Sequence, residues 1–146
     1  MRSYQYKISA WLRYALSVCL AIGVLAFVAL FHITVFPYAA DKEYYLYSPS
    51  SQAQIKNEIT FSELPYIKGE CARLAIENDE KDLQALIAHY NAEIVRIEQF
   101  NGGTSYYCYS NKLKTPILLD GAHVNLHIVV KENELLIATP LVFGGY

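Results

Sequence analysis

YALSVCLAIGVLAFVALFHITVF, running from Tyr14 to Phe36, decides the layout of this chain. Leu16, Val18, Leu20, Ile22, Val24, Leu25, Phe27, Val28, Leu30, Phe31, Ile33, Val35 and Phe36 make it almost wholly apolar. No Lys, Arg, Asp or Glu occurs from Tyr14 to Ala40. About 20 apolar residues, rising about 1.5 Å each, cross the ~30 Å hydrocarbon core of a bilayer. The apolar positions run all round the helix, unlike those of an amphipathic surface helix. Residues 14–36 therefore read as a transmembrane helix whose partner is the lipid bilayer. A signal-peptide core is shorter, roughly 7–15 residues. The nearest cleavage-like site, Tyr38-Ala39-Ala40, has a bulky Tyr where a small residue is needed. Cys19 follows Leu16-Ser17-Val18, a poor lipoprotein context, and the apolar run continues past it.

The flanks set the orientation. Arg2, Lys7 and Arg13 precede the span without an acid among them, while Asp41, Lys42 and Glu43 follow it. The positive-inside rule keeps residues 1–13 cytoplasmic and exports the rest. The expected location is the inner (cell) membrane, with the C-terminal part in the periplasm. Trp11 and Tyr14 at one end, and Tyr38, Tyr44, Tyr45 and Tyr47 beyond the other, suit interfacial aromatic belts. His32 lies near the outer end, where it can snorkel to headgroups. Ser17, Ala21, Gly23 and Ala26 supply small residues without a strict Gly-x-x-x-Gly motif.

Composition narrows the remainder. Of 146 residues, 53% are hydrophobic and 18% charged, too apolar for a disordered chain. Net charge is −2 with no basic run, so no nucleic-acid partner is expected. Setting Arg2, Lys7 and Arg13 aside, 9 basic and 14 acidic residues remain, an exported net charge of −5. Such a domain is mildly repelled by anionic headgroups. Tyrosine is abundant, with 13 against a single Trp and a single Met.

Residues 37–51, with Pro37, Pro49 and serines 48, 50 and 51, read as a juxtamembrane tether. A compact domain is expected over residues 52–146. Ser62 and Pro65 mark a helix start, and Leu64, Ile67, Cys71, Leu74 and Ala75 recur at helical spacing, with Gly69 a weak point. Asn78 or Asp79 caps a second helix carrying Leu83, Leu86, Ile87 and Tyr90 on one side and ending near Asn91. The period then changes. Glu93–Phe100 and Thr104–Tyr109 form a hairpin about Asn101-Gly102-Gly103. Pro116–Leu119 is a short edge strand. His123–Val130 and Glu134–Thr139 form a second hairpin, with Val124, Leu126, Ile128 and Val130 on one face. The expected class is α+β, with two helices packed on a four- to five-stranded antiparallel sheet behind a single transmembrane helix.

Cys71 and Cys108 both fall in the exported region, where disulfides persist. If both point into the core, their Cα atoms can approach the roughly 5.5–6 Å that a bridge needs. Closing a loop of about 38 residues would stabilise the domain by about 4 kcal/mol in the chain-entropy model. A Cys71–Cys108 disulfide is therefore expected; the alternative is two buried free thiols.

The chemistry-bearing residues do not assemble into a catalytic pattern. His123-x-Asn125-x-His127 would lie on a strand, where residues four apart are about 13 Å apart, too far to share a metal. These three read as the polar face of a half-exposed strand. Glu77, Asp79, Glu80 and Asp82 favour the N-terminus of the second helix. Gly102-Gly103 lacks the helix and Lys-Ser/Thr of a phosphate loop, and no Ser sits in a Gly-x-Ser-x-Gly frame. No cofactor, metal or small-molecule substrate is inferred, and the expectation is a non-enzyme.

Contacts remain. Tyr106, Tyr107 and Tyr109 place aromatic rings on both faces of one strand, a composition suited to interfaces. The apolar tail from Leu141 to Tyr146 either closes the core or offers its strand or carboxylate to a partner. The candidate partner surface is Tyr107, Tyr109, His123, Asn125, His127, Phe143 and Tyr146. The expected function is a single-pass, membrane-anchored periplasmic interaction domain, an accessory subunit or regulator of an envelope complex with a protein partner. The first alternative is a membrane-anchored immunity protein that neutralises an exported toxin. The second is a pilin-like subunit: an apolar N-terminal helix followed by an α+β head with one disulfide is similar in layout to type IV pilins. However, Met1-Arg-Ser-Tyr-Gln-Tyr-Lys lacks the Gly-Phe junction and following Glu of a prepilin.

Overall fold

The chain folds as two units, residues Met1–Thr34 and Val35–Tyr146. The computed structural model describes residues 10–47, 54–75 and 79–142. In the first unit, α1 spans Ala10–Ile33, 24 residues, or about 36 Å of rise. Trp11–Val28 is long and apolar enough to cross a membrane, and none of that stretch is buried against protein. Leu16, Leu20, Ile22, Leu25 and Phe27 are all exposed, so the helix buries no apolar face within its own unit. The helix ends three residues before Phe36, which was expected within it. The side chain of His32 lies outside the described residues.

The second unit is α+β, built on a seven-stranded antiparallel sheet with the order β2-β1-β3-β9-β8-β5-β4. In chain order the strands are β1 (Asp41–Leu46), β2 (Gln54–Lys56), β3 (Ile67–Ala75), β4 (Ala92–Phe100), β5 (Gly103–Ser110), β6 (Ile117–Leu119), β7 (Ala122–Val124), β8 (Leu126–Lys131) and β9 (Glu134–Thr139). A 3-10 helix covers Phe61–Tyr66, and α2 covers Asp79–Tyr90. From β3 in the middle of the sheet, the chain crosses by way of α2 to the far edge and enters β4. It then steps back through β5, β8 and β9 until β9 closes against β3. The small β6–β7 hairpin interrupts the path from β5 to β8.

The two faces carry separate cores. On the α2 face, Ala72, Leu83, Cys108, Leu126, Ile128, Leu135 and Ile137 pack with Phe36 and Ala39. On the opposite face, Tyr45, Cys71, Val129, Leu136 and Ala138 pack together, with Phe100 and Val142 against them. Burying an Ile or Leu side chain fully contributes roughly 1.5–3 kcal/mol, so the centrally paired Ile128 and Ile137 are principal supports.

Three sequence expectations are overturned. The helix expected over Leu64–Ala75 is a short 3-10 helix followed by β3, paired on both sides by β1 and β9. A helix cannot be accommodated there. Gly69 lies so close to Thr139 that a Cβ would sit 2.1 Å from its carbonyl oxygen, a backbone approach at the end of the β3–β9 ladder that only glycine permits. Four of the tether residues are core: Ala39, and Tyr44, Tyr45 and Leu46 of β1, with Tyr44 and Tyr45 on opposite faces of the sheet, while the serines at 48, 50 and 51 lie outside the described residues. Among the described residues the sheet accordingly has seven strands where four or five were expected, and one α-helix covers it where two were expected. α2 and the first hairpin fall where the periodicity placed them, whereas the single strand expected over His123–Val130 is broken at Asn125 into β7, which pairs with β6 (the expected edge strand), and β8, which pairs with β9. The Asn101-Gly102 turn closes on the Phe100–Gly103 pair, and Gly102 adopts φ +104°, which side chains avoid.

Candidate functional site

The strongest buried chemistry lies where the chain enters the second unit. Alternation along β3 puts Glu70, Ala72 and Leu74 on the α2 face. Glu70 is only 1% exposed. A carboxylate so placed must find donors, and it finds main chain: Val35 N–H donates to Oε2 at 2.7 Å and Phe36 N–H to Oε1 at 3.2 Å. The Tyr90 hydroxyl, at the end of α2, donates to the Val35 carbonyl at 3.2 Å. The Phe36 ring meets the Tyr90 ring edge-on, with centroids 5.9 Å apart. Side chains of β3 and α2 thus clamp the Val35–Phe36 segment from both sides, and Phe36 is built into the core.

The electrostatics follow from burial. Desolvation pushes the Glu70 carboxyl up, opposed by the hydrogen bonds from Val35 and Phe36 and by the charge of Lys42. Tyr90 is pushed up to about 12 by burial and by the nearby Glu70 charge. Tyr44, paired with Glu70 across β1 and β3, is raised for the same two reasons. Both tyrosines therefore stay protonated, and Tyr90 remains the hydroxyl donor to Val35.

Beside the clamp opens a cleft of about 440 Å³, lined by the Phe36–Ala39 segment, by α2 and by the ends of β3 and β9. Its walls are mostly apolar, including Pro37, Leu74, Leu86, Leu135 and Ile137, while Asp82 and His89 of α2 supply polar groups. The volume lies within the range of roughly 300–1,000 Å³ typical of ligand pockets. Among the described residues, no group of three or more His, Cys, Asp or Glu side chains is placed to hold a metal ion.

The residues singled out from sequence are distributed differently. Cys71 and Cys108 are free thiols and form no disulfide. They lie on opposite faces of the sheet, on β3 and β5. β9 and β8 separate those strands, three spacings of about 4.8 Å, beyond the roughly 7 Å limit for a bridge. Burial pushes the Cys108 thiol up to about 12 and the Cys71 thiol up as well.

Nor are His123, Asn125 and His127 one half-exposed polar face. His123 is exposed on β7, whereas Asn125 and His127 are buried. Asn125 stands at the break between β7 and β8. Its side-chain amide accepts from Ser110 N–H and donates to Ser110 C=O, both at 2.7 Å, and also donates to Leu113 C=O. The side chain thereby supplies ladder bonds that the backbone drops. His127 stacks on Tyr107 across β5 and β8, with ring centroids 4.4 Å apart, and its Nδ1 accepts from Val142 N–H. Desolvation holds its pKa near 4, against a small upward pull from Glu98. Tyr107 is buried and donates to Glu98 at 2.9 Å. Only Tyr109 and His123 remain exposed among the described candidates, and Phe143 and Tyr146 lie outside the described residues.

Sequence reasoning missed Glu70, Tyr90 and Phe36 as one cluster. The available signal was Glu70 itself, a carboxylate alternating with Ala72 and Leu74. Such a pattern along a strand leaves an acid on a buried face. No family model, curated protein or solved structure matches the chain.

Proposed function

We propose that the chain is a single-pass, membrane-anchored interaction domain, non-enzymatic, facing the periplasm and serving as an accessory subunit or regulator of an envelope complex. The apolar length of α1 and the cationic residues before it support the anchoring and the orientation. The observation that carries the binding role is the mostly apolar cleft walled by Phe36–Ala39 and α2. A concave site with few polar groups suits an apolar side chain presented by a protein partner, with Asp82 and His89 fixing its orientation.

The test is a photo-crosslinking residue at Tyr38, which is 94% exposed at the cleft, in the full-length protein in living cells. The proposal requires a discrete protein adduct that disappears when Ala85→Arg fills the cleft. An adduct unchanged by Ala85→Arg, or none at all, contradicts the cleft as the binding site. An adduct whose protein is a toxin supports immunity in place of an accessory role.

A further inference from the structure

The two ends of the sheet differ in length. β2, at one edge, has three residues, whereas β4, at the other, has nine. An edge strand leaves a row of unpaired N–H and C=O groups, and natural proteins usually keep such edges short or cover them. Here Ile94, Val95 and Ile97 of β4 are all exposed, Ile97 to 54%. A long edge with exposed β-branched side chains is suited to adding another strand.

The main-chain pattern fixes how a strand can add. Phe100 and Gly103 pair directly across a two-residue turn, which makes them a hydrogen-bonded pair. Alternation then directs the main-chain groups of Glu98 and Arg96 inward to β5, and those of Ile97 and Gln99 outward. In an antiparallel pairing of β4 with its own copy, outward groups must meet outward groups. The two-fold axis must therefore pass through a residue position, and the central choices are Arg96, Ile97 and Glu98. An axis at Arg96 sets two guanidinium groups opposite each other, and an axis at Glu98 sets two carboxylates opposite each other, both destabilising. With the axis at Ile97, Arg96 of each copy faces Glu98 of the other and Ile97 faces Ile97.

We propose that β4 pairs antiparallel with β4 of a second copy of this chain about a two-fold axis at Ile97, joining two seven-stranded sheets. Charge selects that register. Arg96 already ion-pairs with Glu98 and Asp120 of its own chain, so its guanidinium is held at the edge where the second Glu98 arrives. The bulge at Val95 limits the ladder on that side, so the paired segment centres on Arg96 to Glu98. The two-fold is closed, whereas pairing β4 on β2 of another copy would propagate as an open fibre. The inference does not depend on the cleft or on membrane anchoring.

Engineered cysteines read the register directly in the full-length chain carrying Cys19→Ser. At the two-fold, Ile97→Cys lies about 5.5 Å from its counterpart, within disulfide reach. Mild oxidation is expected to yield a covalent dimer. Arg96→Cys alone, or Glu98→Cys alone, places like positions about 7–8 Å apart or more and is expected to yield little. Mixing those two variants is expected to restore the dimer. Separately, Arg96→Glu in the otherwise unaltered chain is expected to lower the dimer fraction seen by light scattering about tenfold. A monomeric mass at all concentrations, no Ile97→Cys dimer, or equally strong bridging by Arg96→Cys alone overturns the proposal.

Discussion

The Glu70 carboxylate accepts the main-chain N–H of Phe36 at 3.2 Å, tying the middle of β3 to the segment that follows α1. The same carboxylate takes Val35 N–H, and Tyr90 takes the Val35 carbonyl. Three polar contacts and one aromatic ring therefore define where the second unit begins.

Removing the carboxylate should be costly. Glu70→Ala leaves two main-chain donors without their acceptor, and a loss of about 3 kcal/mol is expected. Glu70→Gln retains an acceptor oxygen but buries an additional N–H₂, so about half that loss is expected. Thermal unfolding of both variants measures this. A Tm for Glu70→Ala equal to that of the wild type would show the clamp to be dispensable.

The buried His127 makes stability depend on pH. Its folded pKa, about 4, lies below the ordinary 6.5. The unfolded chain therefore binds the extra proton first, and the stability is present above pH 6.5 and lost as pH falls towards 4. That difference between the folded and ordinary values corresponds to about 3 kcal/mol. Glu70 acts with the opposite sign: its folded pKa is raised, so its contribution is present below pH 4.5 and lost as pH rises through the folded value. Comparing unfolding free energies of the wild type and His127→Gln between pH 7 and 4 isolates the histidine component. The wild type should lose more than the variant, and parallel curves would contradict a neutral buried imidazole.

Asn125 substitutes for backbone pairing at the β7–β8 break. Asn125→Leu has a similar branched outline but is bulkier, and it leaves Ser110 N–H without its acceptor in a buried site. A destabilisation of about 2–4 kcal/mol is expected by chemical denaturation. His123→Leu, at an exposed position on β7, should change stability by no more than about 0.5 kcal/mol. Equal effects of the two substitutions would contradict the difference in burial.

The free thiols give a redox prediction. Melting temperature should be the same with and without reductant, because no bridge joins Cys71 to Cys108. Both thiols should resist alkylation in the folded protein and react after unfolding, since they are buried and their pKa values are raised. A reductant-dependent Tm, or a linked peptide pair in non-reduced digests, would contradict this.

Some of this architecture is legible in the residues alone. The 3.6 period of α2 and the alternation of Leu126, Ile128 and Val130 in β8 identify their elements, and Asn101-Gly102 marks its turn by the need for positive φ at Gly102. β3 was concealed because Leu64, Ile67, Cys71 and Leu74 also satisfy helical spacing. Its true determinant is the close approach of Thr139 to Gly69, a long-range contact. β1 was concealed because adjacent Tyr44 and Tyr45 resemble an interfacial belt, whereas adjacent aromatics can equally serve two faces of one strand. The roles of Asn125 and His127 depend on partners at Ser110, Leu113 and Val142, which lie 12 to 15 positions away in the chain. Local pattern carries no record of such partners.

The central claim is an anchored domain held on the far side of a membrane by α1. Tyr38→Cys, in a chain carrying Cys19→Ser, tests it most directly by labelling of intact spheroplasts with a membrane-impermeant maleimide. The account predicts full labelling before lysis, on protein that stays in the membrane pellet after alkaline washing and still retains its first residues. Labelling only after lysis, or recovery of a soluble chain lacking α1, would contradict it.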